Sequence, residues 1–255
     1  MARKNAIYKS PISKLFLELT GSRNLWQAWS DVITLIAISI SNCFDYSHRA
    51  KERENRYKQI IENYSESEQK VIVKIFAEIT DAINENPDQD LLGQLFMELE
   101  LGNDHNGQFF TPYCVCKLMA SIATDGKEEV KKEIDSKHFI TANDCACGAG
   151  ATLIAFANHL KDIGINYQSD CMFVAQDIDY TTALMCYIQL SLLGCPGYIK
   201  IGNTLTEPAT TGAHQIEFSE NIWLTPMMFS DLWQARRITW RMRELEETYD
   251  KAANM

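Results

Sequence analysis

Apolar residues recur at helical spacing through the first hundred residues. Ile12, Leu15, Phe16 and Leu19 share one face behind Pro11, which predicts a helix over 12–19. A second helix carries Trp26, Trp29, Val32, Ile33, Ile36 and Ile40, with Ser22 or Asn24 as its cap. Tyr57, Ile60, Ile61 and Tyr64 predict a third, following a highly charged stretch from Arg49 to Lys58. Ser65 or Ser67 opens a fourth, with Val71, Ile72, Ile75, Phe76 and Ile79 in phase. Pro87 and Asp88 mark a turn, and Leu91 to Leu101 predicts a fifth helix ending at Gly102. No internal repeat or low-complexity tract interrupts this order.

The rhythm changes after Gly102. A polar loop, Asn103 to Gly107, leads through Gln108-Phe109-Phe110-Thr111-Pro112 into a helix ending near Ser121, and a charged turn spans Asp125 to Ser136. Short apolar runs then alternate with helices: a strand at His138 to Ala142, a helix at Gly150 to Leu160, a strand at Cys171 to Ala175, a helix at Thr181 to Leu193, and a strand at Tyr198 to Ile201. Such alternation predicts an α/β fold with a parallel sheet. The chain therefore divides into a helical region, 1–102, and an α/β region, 103–255. A short strand, Ile222 to Leu224, and a helix carrying Trp233, Ile238, Trp240, Met242 and Leu245 complete it.

With 46% hydrophobic and 23% charged residues, the 255-residue chain reads as an ordinary soluble globular protein. Its longest apolar stretch, Val32 to Ile40, is far short of the roughly 20 residues a bilayer needs. Met1 to Lys14 is basic but has no apolar core or cleavage site behind it, so no export signal is expected. The eight cysteines then read as reduced thiols of a cytoplasmic protein. Cys114/Cys116 and Cys145/Cys147 form C-x-C pairs, a spacing that does not suit zinc, so no metal is expected. Net charge is −10, yet residues 1–60 hold ten Lys/Arg against five Asp/Glu. Only that part could attract a polyanion by bulk charge. A local patch or a basic partner subunit could do the same, so charge does not decide.

Candidate chemistry lies in the α/β region. Asp144-Cys145-Ala146-Cys147-Gly148-Ala149-Gly150 falls between a strand and a helix. Glycines there allow a sharp turn and close approach to a ligand, beside the free N–H groups of a helix start. A dinucleotide loop would carry a third glycine for its pyrophosphate; this one has Ala151-Thr152-Leu153 and opens with a carboxylate. Asp144 could accept from an ammonium group, which suits the amino-acid end of S-adenosylmethionine better than a phosphate. The second strand ends in Gln176-Asp177-Ile178-Asp179, where open α/β folds place the acid that grips ribose hydroxyls. Ile178 could pack on a purine. A plainer reading makes Gly148 and Gly150 a tight turn and Asp177 and Asp179 helix caps.

Together Gly107-Gln108-Phe109-Phe110-Thr111-Pro112, the Asp144–Gly150 loop and Gln176-Asp177-Ile178-Asp179 resemble the N6-adenine DNA methyltransferase family, in particular the modification subunits of type I restriction-modification systems. The family's first motif is close to G-[QE]-[FY]-[FY]-T-P and its loop is D-P-A-C-G-[ST]-G; here Cys145 replaces proline and Ala149 the hydroxyl residue. The resemblance covers roughly 91–205. It implies a Rossmann-like S-adenosylmethionine-dependent methyltransferase sheet behind a helical N-terminal region. Phe110, Thr111 and Pro112 would then lie against the methionine part of the cofactor. Asp144, Ala146, Gly148 and Gly150 would frame the same end, with Asp177 at the ribose and Ile178 at the adenine. Asn203, in Gly202-Asn203-Thr204-Leu205, stands where the family commonly has an aspartate facing the adenine amine.

The family's acceptor motif is [DN]-P-P-[FY], which draws electron density onto a flipped adenine's amine and stacks its ring. The tetrapeptide does not occur after Asn203. Its nearest counterpart is Thr225-Pro226 with Phe229, where a proline turn followed by packing residues is the plainer reading. The resemblance thus implies a sheet cut short, DNA as substrate, recognition supplied by a specificity subunit, and a protein partner or homo-oligomer. Three functions fit: a DNA adenine-N6 methyltransferase or modification subunit, a catalytically silent homologue acting in regulation or assembly, and a helical protein-interaction module.

Overall fold

The computed structural model describes residues 10–21, 23–102, 110–124, 126–209 and 221–253. The first five helices are α1 (Pro11–Glu18), α2 (Leu25–Asn42), α3 (His48–Ile61), α4 (Glu66–Glu85) and α5 (Leu91–Glu98). Asn24 caps α2 by accepting from Gln27 N at 2.8 Å; the alternative cap, Ser22, lies outside the described residues. Ser65 and Glu68 form a reciprocal capping box on α4. The highly charged stretch from Arg49 to Lys58 forms most of α3 itself. Two of its charges are buried, and Arg53 donates to Ser41 Oγ at 2.6 Å and Asp45 Oδ2 at 3.2 Å.

The α/β region holds α6 (Tyr113–Ile122), α7 (Lys127–Lys137), β1 (Ile140–Asp144), α8 (Ala151–Asp162), α9 (Tyr167–Asp170), β2 (Cys171–Asp177), α10 (Tyr180–Leu192), β3 (Gly197–Ile201) and β4 (Ile222–Leu224). A 3₁₀ turn, Pro226–Phe229, leads into α11 (Asp231–Ala253). The predicted charged turn after residue 125 is a helix, α7. Glu128 and Glu129 favour its N-terminal end and Lys137 its C-terminal end, while Val130 buries against the core. Asp125 itself lies outside the described residues, as do residues 103–109, including Phe109.

Strand order is β1-β2-β3-β4, the first three parallel and β4 antiparallel to β3. Helices α8 and α10 make the crossovers, so the loops after β1, β2 and β3 gather at one edge of the sheet. β2 is buried along nearly its whole length, as its unbroken apolar run requires.

One face of the sheet, with Phe173, Ala175 and Ile199, joins α8, α10 and the N-terminal helices in a single apolar core. That core runs across residue 102 without a break. Ser30 meets Thr181 at 3.1 Å, Gln189 Oε1 accepts from Leu92 N at 3.0 Å, and Arg53 donates to the Ile222 carbonyl at 2.8 Å. A line of aromatic rings also crosses it. Phe16 meets Trp29 at 4.8 Å between centroids, Trp29 meets Phe96 at 5.9 Å, and Phe96 meets Phe110 at 5.3 Å. The opposite face, Met172, Val174, Tyr198 and Leu224, is covered by Met228 and Trp233. Among the described residues no helix is long and apolar enough to cross a membrane.

Candidate functional site

Where β1 and β2 end, the chain leaves an open cleft. Six of the residues singled out from the sequence line it: Phe110, Thr111, Asp144, Ala146, Gly148 and Asp177. Pro112, Gly150, Ile178 and Asn203 do not. Pro112 is the exposed residue before α6. Ile178 is 71% exposed at the rim.

The loop after β1 is fixed by its own backbone. Gly148 sits at φ +52 and Gly150 at φ +95, the left-handed region that favours glycine. A Cβ on Gly148 would lie 3.0 Å from the Phe110 ring, so the cleft wall is built around the missing side chain. A Cβ on Gly150 would meet Cys186 Sγ at 2.8 Å, so this glycine serves the packing of α8 on α10. Cys147 N donates to the Gln176 carbonyl at 2.9 Å, tying the loop to β2. The Cys147 thiol is held well above its ordinary pKa, first by its hydrogen bond with Cys186 and then by burial. It is a protonated packing group.

The two carboxylates of the cleft have structural partners as well. Asp144 Oδ1 accepts from Ala146 N at 3.0 Å, and Oδ2 accepts from the Thr152 hydroxyl. Asp177 Oδ2 accepts from Gly148 N at 2.8 Å, and Oδ1 from Asp179 N at 2.9 Å. Asp179 caps α10 by accepting from Thr182 N at 2.8 Å. The capping reading is therefore correct for Asp179, while Asp177 bridges the ends of β1 and β2. Each carboxylate oxygen keeps a second lone pair for a ligand.

Several residues that shape the site were given no role of their own from the sequence. Gln189 Nε2 donates to the Ala149 carbonyl and to Asp90 Oδ1, both at 2.8 Å, beneath the glycine turn. Asp90 caps α5 by accepting from Gly93 N at 3.0 Å. Burial raises its carboxyl pKa, against the lowering effect of the bonds from Gln189 and Gly93. Gln176 is fully buried and accepts from Ala209 N at 2.7 Å. The signal for both glutamines was a lone amide inside an unbroken apolar run. Thr152 and Thr182 also line the cleft.

The candidates from the later part of the sequence lie outside the cleft lining. Thr225 is fully buried; its hydroxyl donates to the Cys195 carbonyl at 2.7 Å and accepts from Gly197 N at 3.0 Å. Because β4 runs antiparallel, Thr225 stands beside the first residue of β3. That is about 13 Å from the cleft edge, at roughly 3.3 Å per residue along β3. Pro226 and Phe229 lie on the same far side, where the Phe229 ring stacks on Phe44 at 6.5 Å. None of the three lines the cleft. Asn203 is exposed, and its amide oxygen accepts from Leu205 N at 2.9 Å.

The lining of the cleft is acidic and hydroxylic. Asp144 and Asp177 stand among Thr111, Thr152 and Thr182, and among the described residues no Lys, Arg or His lines the wall. Among the described residues no three His, Cys, Asp or Glu converge on a possible metal site. The chain is thus an α/β protein with a glycine-turned cleft at the carboxyl ends of its parallel strands and an acid closing the second strand, the edge where open α/β sheets place their ligand sites. The sequence places it more narrowly. This chain belongs to the N-6 DNA methylase family, whose pattern matches residues 90–251. The match opens at the α5 cap, within the helical region. No solved structure matches the chain.

Proposed function

We propose that the chain binds S-adenosylmethionine in this cleft and serves as the cofactor-holding component of a DNA adenine-N6 modification system. The observation that carries the reading is the composition of the wall. Among the described residues the wall carries two carboxylates and three hydroxyls and no cation; the carboxylates repel a pyrophosphate, while the set suits an ammonium group, a sulfonium and ribose hydroxyls. The space held open at Gly148 against Phe110 fits a ligand that must approach the backbone closely. On this reading Asp177 holds the ribose, Asp144 lies toward the amino-acid end, and Phe110 and Thr111 close the side.

The placement of Thr225 favours one variant of this function. The acceptor-side group does not come from the turn after β4, so the chain holds the donor as a regulatory or assembly subunit and another chain acts on the adenine. Calorimetric titration with S-adenosylmethionine tests the cofactor reading: saturable binding is expected, and at least tenfold weaker binding for Asp177→Ala. Absence of saturable heat, or an Asp177→Ala variant equal to wild type, would sink it. Transfer of a labelled methyl group to unmodified DNA, with and without neighbouring gene products, then separates an active modification subunit from a silent one.

A further inference from the structure

One short turn of the helical region holds all three helices that open onto the cleft. The wall is drawn from where those helices begin. Thr111 stands just before α6, Ala151 and Thr152 open α8, and Thr182 lies in the first turn of α10. Residues 87–90, between α4 and α5, reach each of the three at a different place. The Pro87 carbonyl accepts from Asn158 Nδ2 of α8 at 3.0 Å. Asp88 Oδ1 accepts from the Tyr113 hydroxyl of α6 at 2.8 Å, and its Oδ2 accepts from Lys117 Nζ one turn further along. Asp90 Oδ1 accepts from Gln189 Nε2 of α10 at 2.8 Å. None of residues 87–90 lines the cleft.

The turn is itself tied down on both sides. Gln89 Nε2 donates to the Ala82 carbonyl at 3.0 Å and to the Asn86 carbonyl at 2.9 Å, at the C-terminal end of α4. Asp90 caps α5 through Gly93 N at 3.0 Å. A site works only when its walls are held to within about 0.5 Å, and groups behind the lining supply that hold. Bonds that merely joined two regions would not need to fall one on each wall helix. We propose that residues 87–90 are a positioning element of the cofactor cleft, setting the spacing of α6, α8 and α10. The helical region then belongs to the site although none of its residues lines the cleft. The effect on affinity rests on the cofactor reading; the effect on the cleft's geometry does not.

Two readouts on the full chain test this. Asp88 is half-buried in a surface turn and Tyr113→Phe is nearly isosteric, so Asp88→Ala and Tyr113→Phe should both fold. In the ligand-free chain, hydrogen exchange read by mass spectrometry on peptides covering 145–150 should be faster in both variants, because the loop opens more often once a wall helix is released. Titration with S-adenosylmethionine should show binding about fivefold weaker, the worth of one hydrogen bond. Asp88→Asn keeps the acceptor and should stay within about twofold of wild type. Thr225→Val, a loss of buried bonds away from the cleft, should move neither readout, which separates positioning from a general loss of stability. Unchanged exchange at 145–150 in Asp88→Ala and Tyr113→Phe overturns the proposal. So does faster exchange with unchanged affinity, or an Asp88→Asn variant as weak as Asp88→Ala. A wild-type chain that binds no S-adenosylmethionine sinks the cofactor reading alone, and the exchange result still decides the positioning.

Discussion

The amide of Gly148 donates to the Asp177 carboxylate at 2.8 Å, so the turn after β1 is held by the residue that ends β2. One carboxylate thereby fixes the loop and faces the cleft that the loop encloses. Loss of its charge acts on loop geometry and on the lining of the cleft together.

Gly148→Ala separates these effects from the other side. The left-handed backbone costs a non-glycine residue about 1–2 kcal/mol. The new methyl group must also displace Phe110. Chemical denaturation should show that loss of stability, and calorimetry should show S-adenosylmethionine binding weakened by roughly tenfold, about 1.4 kcal/mol. Unchanged affinity would mean that the ligand does not approach this turn.

Gln189→Leu removes the acceptor of Leu92 N and the donor to Asp90 and to the Ala149 carbonyl. Three buried groups lose a partner, and a destabilisation of about 3 kcal/mol is expected. Urea unfolding measures it. A change below about 1 kcal/mol would show that water replaces the amide.

Asp90 carries a pH dependence of definite sign. Its folded pKa is raised by burial above an unfolded value of about 3.9. The native state therefore binds the proton more tightly. The favourable contribution is complete below about pH 4 and is lost as pH rises through the raised folded value. Asp90→Asn keeps an acceptor for Gly93 N and Gln189 Nε2 without the charge. Its stability relative to wild type should grow with pH across that window, and a difference independent of pH would contradict the assignment.

Thr225→Val tests the correction made at the far end of the sheet. Loss of its bonds to Cys195 and Gly197 should cost about 1–2 kcal/mol in thermal or chemical unfolding. Affinity for S-adenosylmethionine should stay within about twofold, as expected for sites so far apart. A large loss of binding would return Thr225 to the site.

Elements defined by periodicity were legible in the sequence. α2, α4, β2 and α10 lie within a few residues of their predicted limits because each buries a long apolar face or run. α7 was not legible: Lys, Glu and Asp dominate it, and only Val130 and Ile134 touch the core. Within the site, local chemistry was readable and long-range pairing was not. The glycine turn and Asp177 follow from residue type and spacing, whereas Gln189 reaching Asp90 spans 99 positions. Thr225 was misplaced because strand direction decides which end of the sheet a residue occupies. A three-residue strand gives no sign of running antiparallel.

The aromatic line from Phe16 through Trp29 and Phe96 to Phe110 makes one wall of the cleft continuous with the interior of the helical region. An occupant that presses on Phe110 is felt through two further ring contacts at Trp29, an indole fully shielded from solvent. The chain thus contains its own optical gauge. Emission from Trp29 should change with cleft occupancy in wild type and lose that response in Phe96→Leu, where the ring relay is interrupted.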